Sequence, residues 1–119
     1  MTESSITAED LRAVEVSTKG RTCLIIETTT GADVAEGCFI SEGDHVTAWD
    51  KRADGLRVRV DWMTDYDRDG DCRDNNSDGG RVDCNFDMRE DGRLKFQVEL
   101  WDGDQRYAET GWTGWLSID

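Results

Sequence analysis

Apolar and polar side chains alternate with a period of two along much of the chain. In LRVRVDW, residues 56–62, Leu56, Val58, Val60 and Trp62 fall on one face, with Arg57, Arg59 and Asp61 on the other. RLKFQVELW, residues 93–101, repeats the arrangement. Leu94, Phe96, Val98 and Leu100 share one face, and Arg93, Lys95, Gln97 and Glu99 the other. This is the signature of strands with one buried and one wet face. Shorter candidates are AVEVS, TCLIIET, GCFIS, HVTAWD, RVDCNF, QRYAET and GWTGWLSI, separated by the turn-forming TTTGAD, SEGD, RADG, SDGG, REDG and WDGD. The pattern predicts an all-β chain, an antiparallel sandwich or barrel of about eight short strands. The one helical signal is a single turn in TAEDLRAV, capped by Thr7. The chain shows no convincing internal repeat, and the absence of proline excludes a rigid Pro-rich linker.

A length of 119 residues suits one domain. Residues 1–18 read as a flexible N-terminal arm or an untethered tail, and residues 19–119 as the sandwich. The core is modest, since hydrophobic residues make up 36% of the chain and charged residues 34%. Five Trp, three Phe and two Tyr compensate, because aromatics bury the most area per residue. The net charge of −13 repels phosphate backbones and anionic membrane surfaces, which argues against nucleic-acid and membrane partners. Cations or a basic protein surface are the natural counterparts. No run is long enough to span a bilayer.

Cys23, Cys38, Cys72 and Cys84 permit three disulfide pairings. CxxC spacing is absent and His45 is the only histidine, which disfavours structural zinc. Pairing neighbours along the chain gives Cys23–Cys38 and Cys72–Cys84, each worth about 3 kcal/mol by loop closure. Two disulfides imply an oxidising compartment. The opening MTESSITAEDLRAV lacks an apolar h-region, so the chain is expected to be the mature segment of a secreted protein with an added start Met.

Residues 65–80, DYDRDGDCRDNNSDGG, concentrate aspartate in what reads as a single loop. Asp65, Asp67 and Asp69 alternate before Gly70, so a curling backbone would aim them at one ion. Asp71, Asp74, Asn76 and Asp78 are candidates to complete a calcium shell. Asp83, Asn85 and Asp87 form a second alternating arm that a Cys72–Cys84 bond would bring alongside. The DxDxDG start resembles an EF-hand loop, and the stretch is similar to the loops of thrombospondin type 3 repeats and excalibur domains. It departs from the EF-hand at the twelfth loop position, where Asn76 stands in place of glutamate.

Catalytic signatures are scarce. No GxSxG, HExxH, Walker or dinucleotide motif occurs, and His45 lies near Asp44 and Asp50 without a framed nucleophile. The chain is therefore expected to be non-catalytic. Trp101 falls on the polar face of its strand, which is unusual for so large a side chain. Trp112 and Trp115, three residues apart, would face opposite ways on a regular strand unless a bulge intervenes. These tryptophans are candidates for stacking on sugar rings or anchoring a protein interface.

Residues 45–62, HVTAWDKRADGLRVRVDW, resemble a pattern in small secreted actinobacterial proteins: a valine-rich strand, an Asp, an ADG turn and a second alternating strand. The residues concerned are Val46, Asp50, Ala53, Asp54, Gly55, Val58 and Val60, with DKRADG reversing the chain as a β-hairpin. The resemblance implies a disulfide-stapled β-sandwich, in some members an adaptor subunit docking through sheet edges. The leading expectation is thus a secreted, non-catalytic module that binds another extracellular protein, a basic one by charge complementarity, with a calcium-ordered acidic loop. The alternative is a calcium-supported carbohydrate-binding module using Trp101, Trp112 or Trp115. A small hydrolase using His45 or a carboxylate pair is the remainder.

Overall fold

The computed structural model describes residues 11–51, 56–74, 80–88 and 91–118. Its ten strands are β1 (Leu11–Thr18), β2 (Arg21–Thr28), β3 (Asp33–Ile40), β4 (His45–Asp50), β5 (Arg57–Thr64), β6 (Asp69–Asp74), β7 (Arg81–Asn85), β8 (Arg93–Asp102), β9 (Gln105–Glu109) and β10 (Leu116–Ser117). They form two antiparallel sheets. Sheet A has the order β1-β2-β3-β4-β7. In sheet B, β6, β5 and β8 are neighbours, and β9 and β10 both pair with β8. The described residues contain no helix, so the all-β reading holds.

The period-two strands bury the faces expected of them. Val58, Val60 and Trp62 of β5 and Leu94, Phe96, Val98 and Leu100 of β8 form one wall of the core. Leu24, Ile26, Ala35, Phe39, Val46 and Ala48 of sheet A form the other. Gly37 of β3 faces sheet B at close range. A Cβ there would lie 2.5 Å from Val98 Cγ2 and 2.6 Å from Val60 Cγ2, so only glycine fits. At one end Trp62 packs against Phe86 at a centroid distance of 4.8 Å.

Both disulfides join neighbours along the chain, and they do different work. Cys23–Cys38 links directly opposed residues of β2 and β3 on the outer face of sheet A. Cys72–Cys84 ties β6 of sheet B to β7 of sheet A and closes one side of the sandwich.

Four expectations need correction. Residues 11–18 are not part of an arm: they are β1, in continuous register with β2 from Leu11↔Thr28 to Thr18↔Arg21. The same pairing replaces the helical turn over Leu11–Val14, where a partner strand outweighs local propensity; Thr7 lies outside the described residues. The acidic stretch is not one loop, because Asp69–Asp74 is strand β6. Nor do β4 and β5 form a hairpin. β4 pairs with β3 and β7 while β5 pairs with β6 and β8, so the chain changes sheets between them. The apolar faces of both strands are satisfied by packing across the core instead. Ala53, Asp54 and Gly55 of the ADG turn lie outside the described residues.

Candidate functional site

Alternation sends one set of side chains from β5, β6 and β8 to the outer face of sheet B. The register places Arg57 opposite Trp101, Arg59 opposite Glu99, Asp61 opposite Gln97 and Met63 opposite Lys95. On the other flank Arg73, Asp71 and Asp69 of β6 stand opposite Arg59, Asp61 and Met63. The face is therefore a grid of mainly charged and polar groups, bordered by tryptophans.

The border is built by a short repeat, TGWTGW, residues 110–115. Thr110 N–H donates to the Val98 carbonyl and Thr113 N–H to that of Phe96, each at 2.9 Å. In return Val98 N–H donates to Thr110 Oγ1 at 3.0 Å and Phe96 N–H to Thr113 Oγ1 at 3.2 Å. Each hydroxyl then donates to the next glycine's carbonyl, Gly111 or Gly114, at 2.8 Å. The threonine side chain thus takes the place of a strand carbonyl, and three residues of the repeat advance along two residues of β8. Gly111, at φ 84°, supplies a left-handed backbone step without a Cβ penalty.

A bulged edge of this kind changes the facing rule. Trp112 and Trp115, three apart, come to the same face, both flanking Lys95. Its Nζ lies 5.7 Å from the Trp112 ring centroid and 4.9 Å from that of Trp115. The two indoles remain 41% and 45% exposed. Neither is a core residue. Trp101 sits on the same outer face, half-buried, with Arg59 5.2 Å from its centroid.

Beside the tryptophans runs an open recess of about 300 Å³. Trp112, Asp61, Asp69, Asp71, Met63 and Arg59 line it. Through Arg59 it adjoins a hydrogen-bonded network centred on Glu99, which is only 1% exposed although it lies on the outer face. Trp101 Nε1 and an Arg106 guanidinium nitrogen each donate to Glu99 at 2.9 Å, and Gln97 Nε2 donates at 3.2 Å. Arg59 reaches Asp61 at 2.9 Å, Asp71 at 3.3 Å and Glu99 at 3.9 Å. Burial raises the Asp61 carboxyl to about 6, a hydrogen bond and repulsion from Glu99 add to this, and Arg59 opposes it. Burial alone would raise Glu99 too, but donors from Trp101 and Arg106 outweigh it and hold the group below its usual range. The two acidic groups are held in place by these partners rather than free to swing.

The acidic stretch distributes its side chains among separate tasks. Thr64 Oγ1 organises the β5–β6 turn by accepting from Arg68 N–H at 3.0 Å and donating to the Arg68 carbonyl at 3.0 Å. Asp65 Oδ1 accepts from Arg93 N–H at 2.9 Å. Asp67 occupies the turn's left-handed position at φ 68°, a conformation aspartate tolerates. Asp69 lines the recess, and Asp71 joins Arg59 and Arg73. Asp74 points the other way, into the sandwich, where its Oδ2 accepts from Asp50 N–H at 2.9 Å. Asn76 and Asp78 lie outside the described residues. Asp83 and Asn85 meet His45, at 2.7 and 3.3 Å, rather than the first arm.

Among the described residues the one grouping of three potential metal ligands is Cys23, Glu36 and Cys38. Its two sulfurs form a disulfide. Glu36 is instead neutralised by Lys51 at 2.9 Å, Arg21 at 3.7 Å and Arg81 at 3.8 Å. Lys51 and Arg81 both sit 4.5 Å from the Trp49 centroid, which covers the outer face of sheet A with a compact, internally satisfied cluster.

No family model, curated protein or solved structure matches this chain. Among the described residues no helix is long and apolar enough to cross a membrane, and the two disulfides are consistent with an oxidising environment. Sequence reasoning singled out Trp101, Trp112 and Trp115 but missed the carboxylate network and the repeat. The tandem TGW was the available signal. It was overlooked because a tripeptide period fits neither strand nor domain repeats.

Proposed function

We propose that this protein is a non-catalytic binding module that recognises a saccharide on the outer face of sheet B. The observation that carries the reading is the TGW repeat, which places two exposed indoles on one face around a single lysine. Sugar rings present flat C–H faces that stack on aromatic rings, and hydroxyls that need planar donors and acceptors around their rims. The recess next to Trp112 supplies both kinds of group, with Asp61, Asp69, Asp71 and Arg59 within it. The network around Glu99 holds Arg59 and Trp101 in position before any ligand arrives, which lowers the entropic cost of binding. The test is a glycan-array screen of the wild type against Trp112→Ala and Trp115→Ala. Binding to a defined set of glycans, lost in both variants, is the expected result.

A protein partner is favoured by a different observation. Strand β1 is an edge of sheet A, paired on one side by β2, and Val16 is 47% exposed on it. An added strand from another protein would extend the sheet through backbone hydrogen bonds. Stoichiometric capture of a protein that requires β1, together with a blank glycan array, would make this the function. Secretion belongs to both readings, supported by the two disulfides.

A further inference from the structure

The outer face of sheet B carries a second recess, of about 190 Å³, toward its Trp101 end. Arg57, Arg59, Arg73 and Trp101 line it, with Gly103 and Asp104 at the β8–β9 turn. Three guanidinium groups around one small space repel one another unless anions compensate them. The protein compensates them only in part. Arg59 has Asp61, Asp71 and Glu99 within 4 Å, while Arg73 shares Asp71 with it, at 3.2 Å. Arg57 forms no ion pair among the described residues, and Asp104 forms none with any of the three. Arg57 is thus the guanidinium of this recess that no carboxylate among the described residues neutralises.

The chemistry that matches it is a carboxylate. The planar arginine fork presents paired N–H groups at the spacing of carboxylate oxygens, and such charge-assisted bonds are the strong ones. Trp101 contributes an apolar wall, because its indole N–H is already committed to Glu99. Arg59 lines both this recess and the one beside Trp112, so the two are neighbours on the same face. We infer that the ligand is an acidic saccharide, whose uronate carboxylate enters the Arg57–Arg73 recess while neighbouring rings stack on Trp112 and Trp115. This inference rests on the saccharide reading above.

The experiment follows the indole N–H signals of the ¹⁵N-labelled protein during titration with sodium glucuronate and, separately, with glucose at matched sodium chloride. The expected result is that Trp112 and Trp115 respond to both sugars and Trp101 to glucuronate alone. Arg57→Gln, at a position without a described ion pair, should weaken glucuronate about tenfold at Trp101 and leave the glucose response at Trp112 and Trp115 unchanged. Equal Trp101 responses to both sugars, or unchanged glucuronate affinity in Arg57→Gln, overturn the inference and leave the tryptophan platform standing. Silence at Trp112 and Trp115 with both sugars overturns the platform itself, and a glucuronate response confined to Trp101 would then mark a bare anion site.

Discussion

Replacing Thr113 with valine separates the chemistry of the repeat from its shape. Valine keeps the branched outline but removes the hydroxyl, so Phe96 N–H loses its acceptor at 3.2 Å and the Gly114 carbonyl its donor at 2.8 Å. Thr113 is only 6% exposed, so water cannot readily replace the lost partner. Leaving a buried donor unsatisfied costs about 1–3 kcal/mol. Thr113→Ser keeps the hydroxyl and gives up one methyl, which is worth about 0.8 kcal/mol of burial. Urea unfolding of the three proteins should therefore rank wild type, serine and valine in descending stability. Amide hydrogen exchange localises the effect: Phe96 N–H should lose protection in the valine variant, whereas Val60 at the centre of β5 should not. Saccharide binding should weaken in parallel, because Trp112 and Trp115 are aimed by this edge. A valine variant as stable as wild type, with Phe96 still protected, would refute the claim that the hydroxyl stands in for a strand carbonyl.

Gly37→Ala should destabilise by about 1–3 kcal/mol, since its methyl would overlap Val98 and Val60 in a closed core; urea unfolding within 0.5 kcal/mol of wild type, about the range of neutral surface changes, would contradict the packing described. Asp61 provides a pH test. An acid whose folded pKa of about 6 exceeds its ordinary 3.8 binds its proton more tightly when folded, so its contribution is most favourable below 3.8 and is lost as pH rises through about 6. Glu99 acts oppositely, its stabilisation disappearing as pH falls through its lowered value, so Asp61→Asn should flatten the stability profile only in the upper window. Melts in calcium, magnesium and chelator should coincide, because Asp65, Asp67 and Asp74 serve separate positions and partners, and of the two that share a recess, Asp69 and Asp71, Asp71 is already paired with Arg59 and Arg73. A calcium-specific rise, about 2.7 kcal/mol at a hundredfold excess over Kd, would show that the acidic stretch binds the ion after all.

The fold was legible where strands have one wet face. β5 and β8 announce themselves because every second residue is apolar, and the disulfides follow from the nearness of their cysteines along the chain. What escaped the sequence depends on pairing across the chain. β6 is rich in Asp and Gly, poor strand formers that read as a loop. It extends only because β5 offers an edge and Cys72 anchors it to β7. The change of sheet after β4 was hidden for a related reason: a turn sequence does not state which strand its exit will join. Within the site, Trp101, Trp112 and Trp115 stood out as large side chains at polar or ambiguous positions. Glu99 did not, since nothing local distinguishes it from Lys95 or Gln97. Its burial comes from Trp101 and Arg106, which close over it from the same face.

The most direct test of the central claim is isothermal titration of the wild type and a Trp112→Ala/Trp115→Ala double variant with the strongest glycan found by the array. Urea unfolding would confirm that the variant remains folded. The account predicts saturable one-to-one binding by the wild type and a loss of affinity of about tenfold or more in the variant. Undiminished binding by the folded double variant would contradict it, and would move the saccharide site away from the outer face of sheet B.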